Sequence, residues 1–202
     1  MAAAAHWREY GPSTLPKVLQ SALDAFAEHG YYGTGIRDIA AGAGLSVAGV
    51  YHHYRSKQDV LVQLLKHIMA DLLDRSHAAV VEAGPEPSAQ FDALVESMLL
   101  FHMFRQREAF VASTETRSLE PVNRERYIAL RDEQQALLTK IIKSGRRRGD
   151  FATAHPDDAS RIIATLCVGV STWYRPDGRL RPKLFMRRNL AMARLLAEAR
   201  PA

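Results

Sequence analysis

Two hundred and two residues, 47% hydrophobic and 24% charged, suit one large helical domain or a small domain beside a larger one, with enough apolar material for a sizeable core. The single cysteine, Cys167, excludes an intramolecular disulfide framework and a multi-cysteine zinc site, so a reducing, cytoplasmic setting is expected. The net charge of +5 points to an anionic partner but locates none: residues 1–60 carry five basic and five acidic side chains, and from Arg175 onward eight basic residues stand against Asp177 and Glu198.

At the start of the chain Met1 to Ala5 is apolar, but His6, Trp7, Arg8 and Glu9 follow too early for an export signal. From there apolar residues recur every three or four positions and nothing alternates with period two, so helices are expected and strands are not. The first helix is predicted over Ser13–His29, with Val18, Ala22 and Phe26 on one face and Gly30 as its stop. Thr34 is the expected N-cap of a short helix over 36–43, Ser46 of another over 47–54, and Ser56 of a long one carrying Val60, Leu61, Leu64, Leu65, Ile68, Leu72 and Leu73. A breaker-rich linker spans 82–88, and Ser88 is the expected cap of a helix to Arg105. Further helices are predicted over Arg107–Leu119, from Pro121 to Arg148, over Pro156–Tyr174 and over Pro182–Ala199, with Gly145 and Gly149 loosening the end of the second. No apolar run approaches the ~20 residues of a membrane-spanning helix, Ile162–Val170 being the longest candidate. About nine helices result, in an all-α chain.

Two short helices meeting at a tight turn, Thr34 to Tyr54, have the dimensions of a helix-turn-helix, whose second helix enters the major groove of DNA. That helix offers small residues at Ser46, Ala48 and Gly49, which let its backbone approach a duplex, beside Tyr51, His52 and His53, which donate to phosphates or base edges. Val47, Val50 and Tyr54 face inward, while Thr34 and Arg37 are placed to hold a phosphate and Lys57 to anchor the exit. The candidate DNA-contacting set is therefore Thr34, Arg37, Ser46, Val47, Ala48, Gly49, Tyr51, His52 and Lys57.

The runs Ile36-Arg37-Asp38-Ile39-Ala40, Gly44-Leu45-Ser46 and Val50-Tyr51-His52-His53-Tyr54-Arg55-Ser56-Lys57 resemble the N-terminal signature of the TetR family of transcriptional regulators, over roughly residues 13–65. Many members carry a basic residue, a glycine and a threonine after the capping serine, where Val47, Ala48 and Gly49 stand here, so base contacts are expected to be few. The resemblance implies a three-helix helix-turn-helix domain over 1–57, a helical ligand-binding and dimerisation domain over 58–202, and a repressor that binds a palindromic double-stranded operator as a homodimer. The C-terminal part, through Arg107-Glu108-Ala109-Phe110-Val111, Glu115-Thr116-Arg117-Ser118-Leu119, Tyr127–Asp132 and Trp173–Gly178, is similar to a branch that regulates lipid, steroid or fatty-acid catabolism and answers to acyl-CoA thioesters.

An effector site is expected among Met98, Phe101, Phe104, Phe110, Trp173 and Tyr174, with Arg117 and Arg175 as partners for a carboxylate or phosphate. An apolar stripe is more often packing than pocket, so each of these aromatic positions also has a plain core reading. Dimerisation is expected through the last two helices, by way of Ala164, Val168, Ser171, Ala191 and Leu195. No cofactor is expected. His52 and His53, being adjacent on a helix, point apart and give no metal site, and Arg146, Arg147 and Arg148 read as a solvated helix end. Two rival readings remain open: a drug-responsive efflux repressor, and a helical ligand-binding protein that does not bind DNA. Catalysis would need Glu115 with Asp132 as a carboxylate pair, or Cys167 as a nucleophile, and Cys167 lies among Leu166, Val168 and Val170 with no base beside it in sequence.

Overall fold

Prolines set four of the nine helix starts among the described residues. A proline at the first helical position has no N–H to leave unpaired and its φ is already helical. In the computed structural model, which describes residues 7–178 and 180–200, Pro87, Pro121, Pro156 and Pro182 each open a helix. The described residues hold nine α-helices: α1 Lys17–Gly33, α2 Ile36–Gly42, α3 Val47–His53, α4 Lys57–Glu82, α5 Pro87–Phe104, α6 Gln106–Thr114, α7 Pro121–Arg148, α8 Pro156–Trp173 and α9 Pro182–Leu196. A single 3₁₀ turn, Glu115–Ser118, separates α6 from α7, and one isolated bridge joins Phe151 to Ala199. Met1–Ala5, His6 and Arg179 lie outside the described residues.

The helix expected over Arg107–Leu119 ends at Thr114 and passes into the 3₁₀ turn, α9 stops at Leu196 and not Ala199, and other boundaries differ for local reasons. Pro16 keeps Leu15 out of helical backbone, so α1 begins at Lys17 and not at Ser13. Gly30 breaks α1 as expected (φ 69°), but one further turn follows it. Thr34 does not cap α2; Gly35 holds that position, and Asp38 accepts the Gly35 N–H at 2.7 Å. Ser88 likewise falls inside α5, because Pro87 already occupies the first turn with Glu86 as N-cap. Ser46 and Ser56 do cap: their hydroxyls accept the N–H of Gly49 at 3.0 Å and of Asp59 at 3.1 Å.

The described residues fall into two compact units. The first comprises 11–71 and 107–130, and the second 7–10, 72–106, 131–178 and 180–200, a division that differs from the expected one at residue 57. In the first unit, Val18, Leu19, Ala22, Leu23 and Phe26 of α1 are buried together with Ile39, Ala40, Val50 and the α4 residues Val60, Leu61, Leu64 and Leu65. In the second, α5 is buried on nearly all sides, and Phe91, Leu94, Val95, Met98 and Met103 form one core with Leu138, Ile142, Ile163, Cys167, Tyr174 and Phe185. The N-terminal segment 7–10 belongs to this second core's flank. Trp7 is buried against Ala79 and Ala93, its indole N–H donates to Glu82 at 2.7 Å, and Arg75 donates to the carbonyls of Trp7 and Glu9 at 3.1 and 2.9 Å.

Gly145 sits in the interior of α7 and does not loosen its end. A Cβ there would lie 2.4 Å from Cδ2 of Phe151, whose buried ring packs on Phe91 with centroids 5.1 Å apart. Gly145→Ala should therefore cost about 1–3 kcal/mol by overpacking, against a helix-propensity gain of about 1 kcal/mol. Differential scanning calorimetry should show a net fall in Tm.

His102 is buried in the second unit, and its Nδ1–H donates to the carbonyl of Met98 at 2.7 Å. Burial disfavours the imidazolium and pushes the pKa down to about 4. The unfolded chain takes up this proton near pH 6.5 and the folded chain does not, so the stabilisation is complete above that pH and is lost as the pH falls toward 4. The loss amounts to about 3 kcal/mol at about 1.4 kcal/mol per pKa unit. Urea unfolding at pH 7 and pH 4 should show a steeper acid loss for the wild type than for His102→Leu.

Candidate nucleic-acid interface

The two short helices are held by their approach to α1. The Ser21 hydroxyl donates to the carbonyl of Ile39 at 2.9 Å, and a Cβ at Gly42 would lie 2.3 Å from that hydroxyl oxygen, so only glycine lets α2 close on α1 at this point. Gly44, at φ 69°, then turns the chain in the left-handed region, and the Leu45 N–H reaches back to the carbonyl of Ala40 at 2.9 Å. The result is a tight turn between α2 and α3 with its backbone groups engaged.

On the seven-residue α3, Val50 is fully buried, while Val47 and Gly49 are half-buried and Tyr54 lies half-buried just past the helix end. Ala48, Tyr51 and His52 fall three and four residues apart and are exposed, Tyr51 by 49%. One face of α3 is thus anchored, and the other presents a small residue, a phenol and an imidazole to solvent. Arg37 on α2 and the capping Ser46 are exposed as well. His52 and His53 lie edge to face with centroids 5.0 Å apart, and no group of three metal-binding side chains occurs among the described residues.

Three of the four aspartates of this unit are drawn into local structure. Asp24 pairs with Arg107 at 3.1 Å, Asp38 accepts the N–H of Gly35, and Asp59 accepts the N–H of Arg55 at 3.0 Å. Formal neutrality over 1–60 therefore does not make the exposed face of α3 acidic.

Thr34 is turned to other work than the phosphate contact expected of it, and Lys57 commits two of its three N–H groups inside the fold. Thr34 is 2% exposed, and its hydroxyl is engaged with the carbonyls of Ala25 (3.1 Å) and Gly30 (2.8 Å), so its one proton stays inside the fold. Lys57 is half-buried; its ammonium donates to the carbonyls of Tyr31 at 2.8 Å and Thr34 at 2.7 Å and lies 4.3 Å from the centre of the Tyr31 ring. Both residues close the end of α1. Tyr31 and Gln58 complete this cluster and were absent from the sequence-based set. Gln58 was legible as a polar residue three and seven positions before Leu61 and Leu65, on the buried face of α4.

The expected effector residues divide between the two units. In the second unit, Met98 and Tyr174 share the core with Phe185, whose ring lies 4.7 Å from that of Tyr174 and 5.1 Å from that of Trp173. Trp173, Tyr174, Arg175, Gly178, Leu180 and Phe185 line a pocket of about 240 Å³. Phe101 is buried edge to face with His102, and Phe104 stacks on Tyr10 at 5.3 Å. Phe110 and Arg117, both exposed, belong to the first unit and are not part of that core. Cys167 is fully buried and its thiol is pushed up to about 12, so it carries no thiolate at neutral pH.

The pattern of helices has known counterparts. Residues 18–64 match the family model described as bacterial regulatory proteins, tetR family, and residues 84–196 match that of the tetracyclin repressor-like C-terminal domain. The HTH-type transcriptional repressor KstR2 of Mycobacterium tuberculosis H37Rv is 28% identical over 166 residues, covering 81% of this chain and 82% of that protein. A tetR-family regulatory protein from Rhodococcus RHA1 superimposes with a TM-score of 0.83 at 25% identity, over 92% of this chain and 97% of that one. AibR, solved in complex with isovaleryl coenzyme A and operator DNA, shares the fold at a TM-score of 0.77 and 22% identity, over 91% and 97% of the two chains. With its anchored turn, its outward-facing α3 and family-model matches over both its N-terminal and its C-terminal part, this chain belongs to the TetR family of bacterial DNA-binding transcriptional regulators.

Proposed function

We propose that the protein is a homodimeric repressor of lipid, steroid or fatty-acid catabolism genes, released from a palindromic operator by an acyl-CoA-like effector. The observation that carries the DNA-binding part is the exposed face of α3, where Ala48, Tyr51 and His52 stand beside Arg37 while Val50 anchors the opposite side. Arg37, Ser46, Tyr51 and the backbone near Ala48 and Gly49 contact phosphates, and His52 reaches base edges. Thr34 and Lys57 act by holding the end of α1, and Val47 by packing.

A single reading unit binds weakly, and a dimer presents two recognition helices about 34–36 Å apart to a two-fold operator. The dimer reading is supported by apolar side chains left at the surface of α8 and α9: Ile162, Trp173, Met192 and Leu195, the last 72% exposed. On α9, Ala191 lies beside Met192 and Leu195 and extends an apolar surface suited to a self-complementary helical contact; on α8 the expected Ala164, Val168 and Ser171 are half-buried on the opposite flank from Ile162 and Trp173.

For the effector, the supporting geometry is the pocket between Trp173, Arg175 and Phe185. The hydroxyl of Tyr174, one of its lining residues, is buried without a hydrogen-bond partner among the described residues, a group that a polar ligand would satisfy. At about 240 Å³ it falls below the roughly 300–1,000 Å³ of whole-ligand pockets, so it takes a ring or short chain with Arg175 meeting an anionic group. The similarity to KstR2, a ketosteroid transcriptional regulator, and the fold shared with AibR, which holds isovaleryl coenzyme A, support an apolar acyl thioester over a cationic drug. Such a ligand releases DNA by binding the operator-incompetent conformation more tightly.

On an operator selected from random duplexes, Arg37→Ala should weaken binding across all sequences and reduce the log–log salt slope by about one. Tyr51→Phe should weaken it uniformly with the slope unchanged. His52→Ala should alter base preference at one position, by about 1–3 kcal/mol. A folded Arg37→Ala, Tyr51→Ala double variant that binds as the wild type does would refute the interface.

Titration of acyl-CoA thioesters, from short-chain to steroid-derived, into the protein–operator complex should release the DNA, and Arg175→Ala should raise the concentration required. Release by a hydrophobic cation but by none of the thioesters would favour the efflux reading.

A further inference from the structure

Gln58 is a polar side chain on the buried face of α4, only 9% exposed, and every hydrogen-bonding group of its amide bar one acceptor lone pair is used. Nε2 donates to the hydroxyl of Tyr31 at 3.2 Å and to the carbonyl of Ser118 at 3.1 Å, and Oε1 accepts the N–H of Glu120 at 3.1 Å. A carbonyl requires a donor and a backbone N–H requires an acceptor, so the two backbone partners fix which way the amide faces. Neither a carboxylate nor an aliphatic side chain could satisfy all three.

These bonds tie three segments of the first unit: the end of α1, the first turn of α4, and the junction between the 3₁₀ turn and α7. The preceding residue reinforces the same point, since Lys57 grips the carbonyls of Tyr31 and Thr34. On the far side, the Ser118 hydroxyl donates to Glu115 at 2.8 Å, and Glu115 Oε1 lies 3.6 Å from where a Cβ on Gly30 would stand. Burial raises the pKa of the Tyr31 phenol, which stays protonated and accepts from Gln58 as a neutral hydroxyl.

We propose that Gln58 is a positioning residue for operator binding, a latch that keeps α2 in register with α3 by tying the end of α1 to the junction at 115–121. It touches no DNA. Tyr31 is followed within four residues by Gly35, the N-cap of α2, so displacement of the junction moves the point from which α2 starts. An effector that shifts α6 or the 3₁₀ turn is therefore transmitted to the reading helices through Gln58 and Tyr31. The inference rests on the proposed operator binding.

The test compares full-length wild type with Gln58→Leu, Gln58→Glu, Tyr31→Phe and the Gln58→Leu, Tyr31→Phe pair, on an operator selected by the wild type from random duplexes. Gln58→Leu should lower affinity roughly tenfold with an unchanged salt slope, since no phosphate contact is lost. Tyr31→Phe keeps the ring beneath Lys57 and should lose less; in that background Gln58→Leu should cost less than it does alone. Hydrogen exchange of Gln58→Leu should quicken both at 35–40 and at 115–120. Wild-type affinity in a folded Gln58→Leu, or faster exchange at 115–120 alone, overturns the latch. If Gln58→Leu fails to fold, Gln58→Glu keeps the acceptor for Glu120 and loses both donations, and wild-type affinity in that variant overturns it equally. Should the wild type select no duplex, operator binding itself fails, while the exchange measurement, which needs no DNA, still decides whether the latch exists.

Discussion

The carbonyls around the break and end of α1 are the constraint on which the reading unit depends. A kink at Gly30 interrupts the regular hydrogen bonding of α1, and the carbonyls around it take side-chain donors. The single hydroxyl proton of Thr34 is shared between the carbonyls of Ala25 and Gly30, and Lys57 donates to those of Tyr31 and Thr34 with its ammonium. A threonine and a lysine 23 residues apart are thereby committed to one corner. The start of α2 at Gly35 follows from that corner, and the orientation of α3 follows from α2 through the Gly42 approach and the Gly44 turn.

This arrangement separates two roles that a motif presents as one. The residues that hold the corner are half-buried or buried, with the Thr34 hydroxyl and two of the three Lys57 N–H groups engaged inside the fold. Those that face outward, Arg37, Ala48, Tyr51 and His52, are exposed and sit on short helices with few packing contacts of their own. Short helices are marginal in isolation, since nucleation is costly and few bonds repay it, so α2 and α3 exist because Ile39, Ala40 and Val50 are buried against longer neighbours. Recognition chemistry is carried on elements whose stability is supplied from elsewhere.

The second unit is organised by a different necessity. α5 is apolar around almost its whole circumference and must be enclosed, and α8 and α9 pack on it within one core. Having given one face to that core, α8 and α9 still carry Ile162, Trp173, Met192 and Leu195 on their exposed sides. These exposed apolar side chains are the physical basis of the proposed dimer contact. His102 and Cys167, both buried, are held in their neutral forms by the same enclosure.

By itself, the sequence determined the helical class, the number of helices, the turn between α2 and α3, and the caps at Ser46 and Ser56, because these depend on periodicity and on local backbone chemistry. It also marked the outward face of α3, since three- and four-residue spacing sorts a short helix into an anchored and an exposed side. Only the tertiary structure decided that Thr34 and Lys57 face inward, that Gln58 joins Tyr31 to Ser118 and Glu120, that residues 7–10 belong with the second unit, and that Phe110 lies outside the core of Met98 and Tyr174. The partners in these cases lie up to 75 residues away in the chain, as with Trp7 and Glu82. A hydroxyl or ammonium takes whichever acceptor the packed fold brings within reach, and spacing along a helix carries no information about that.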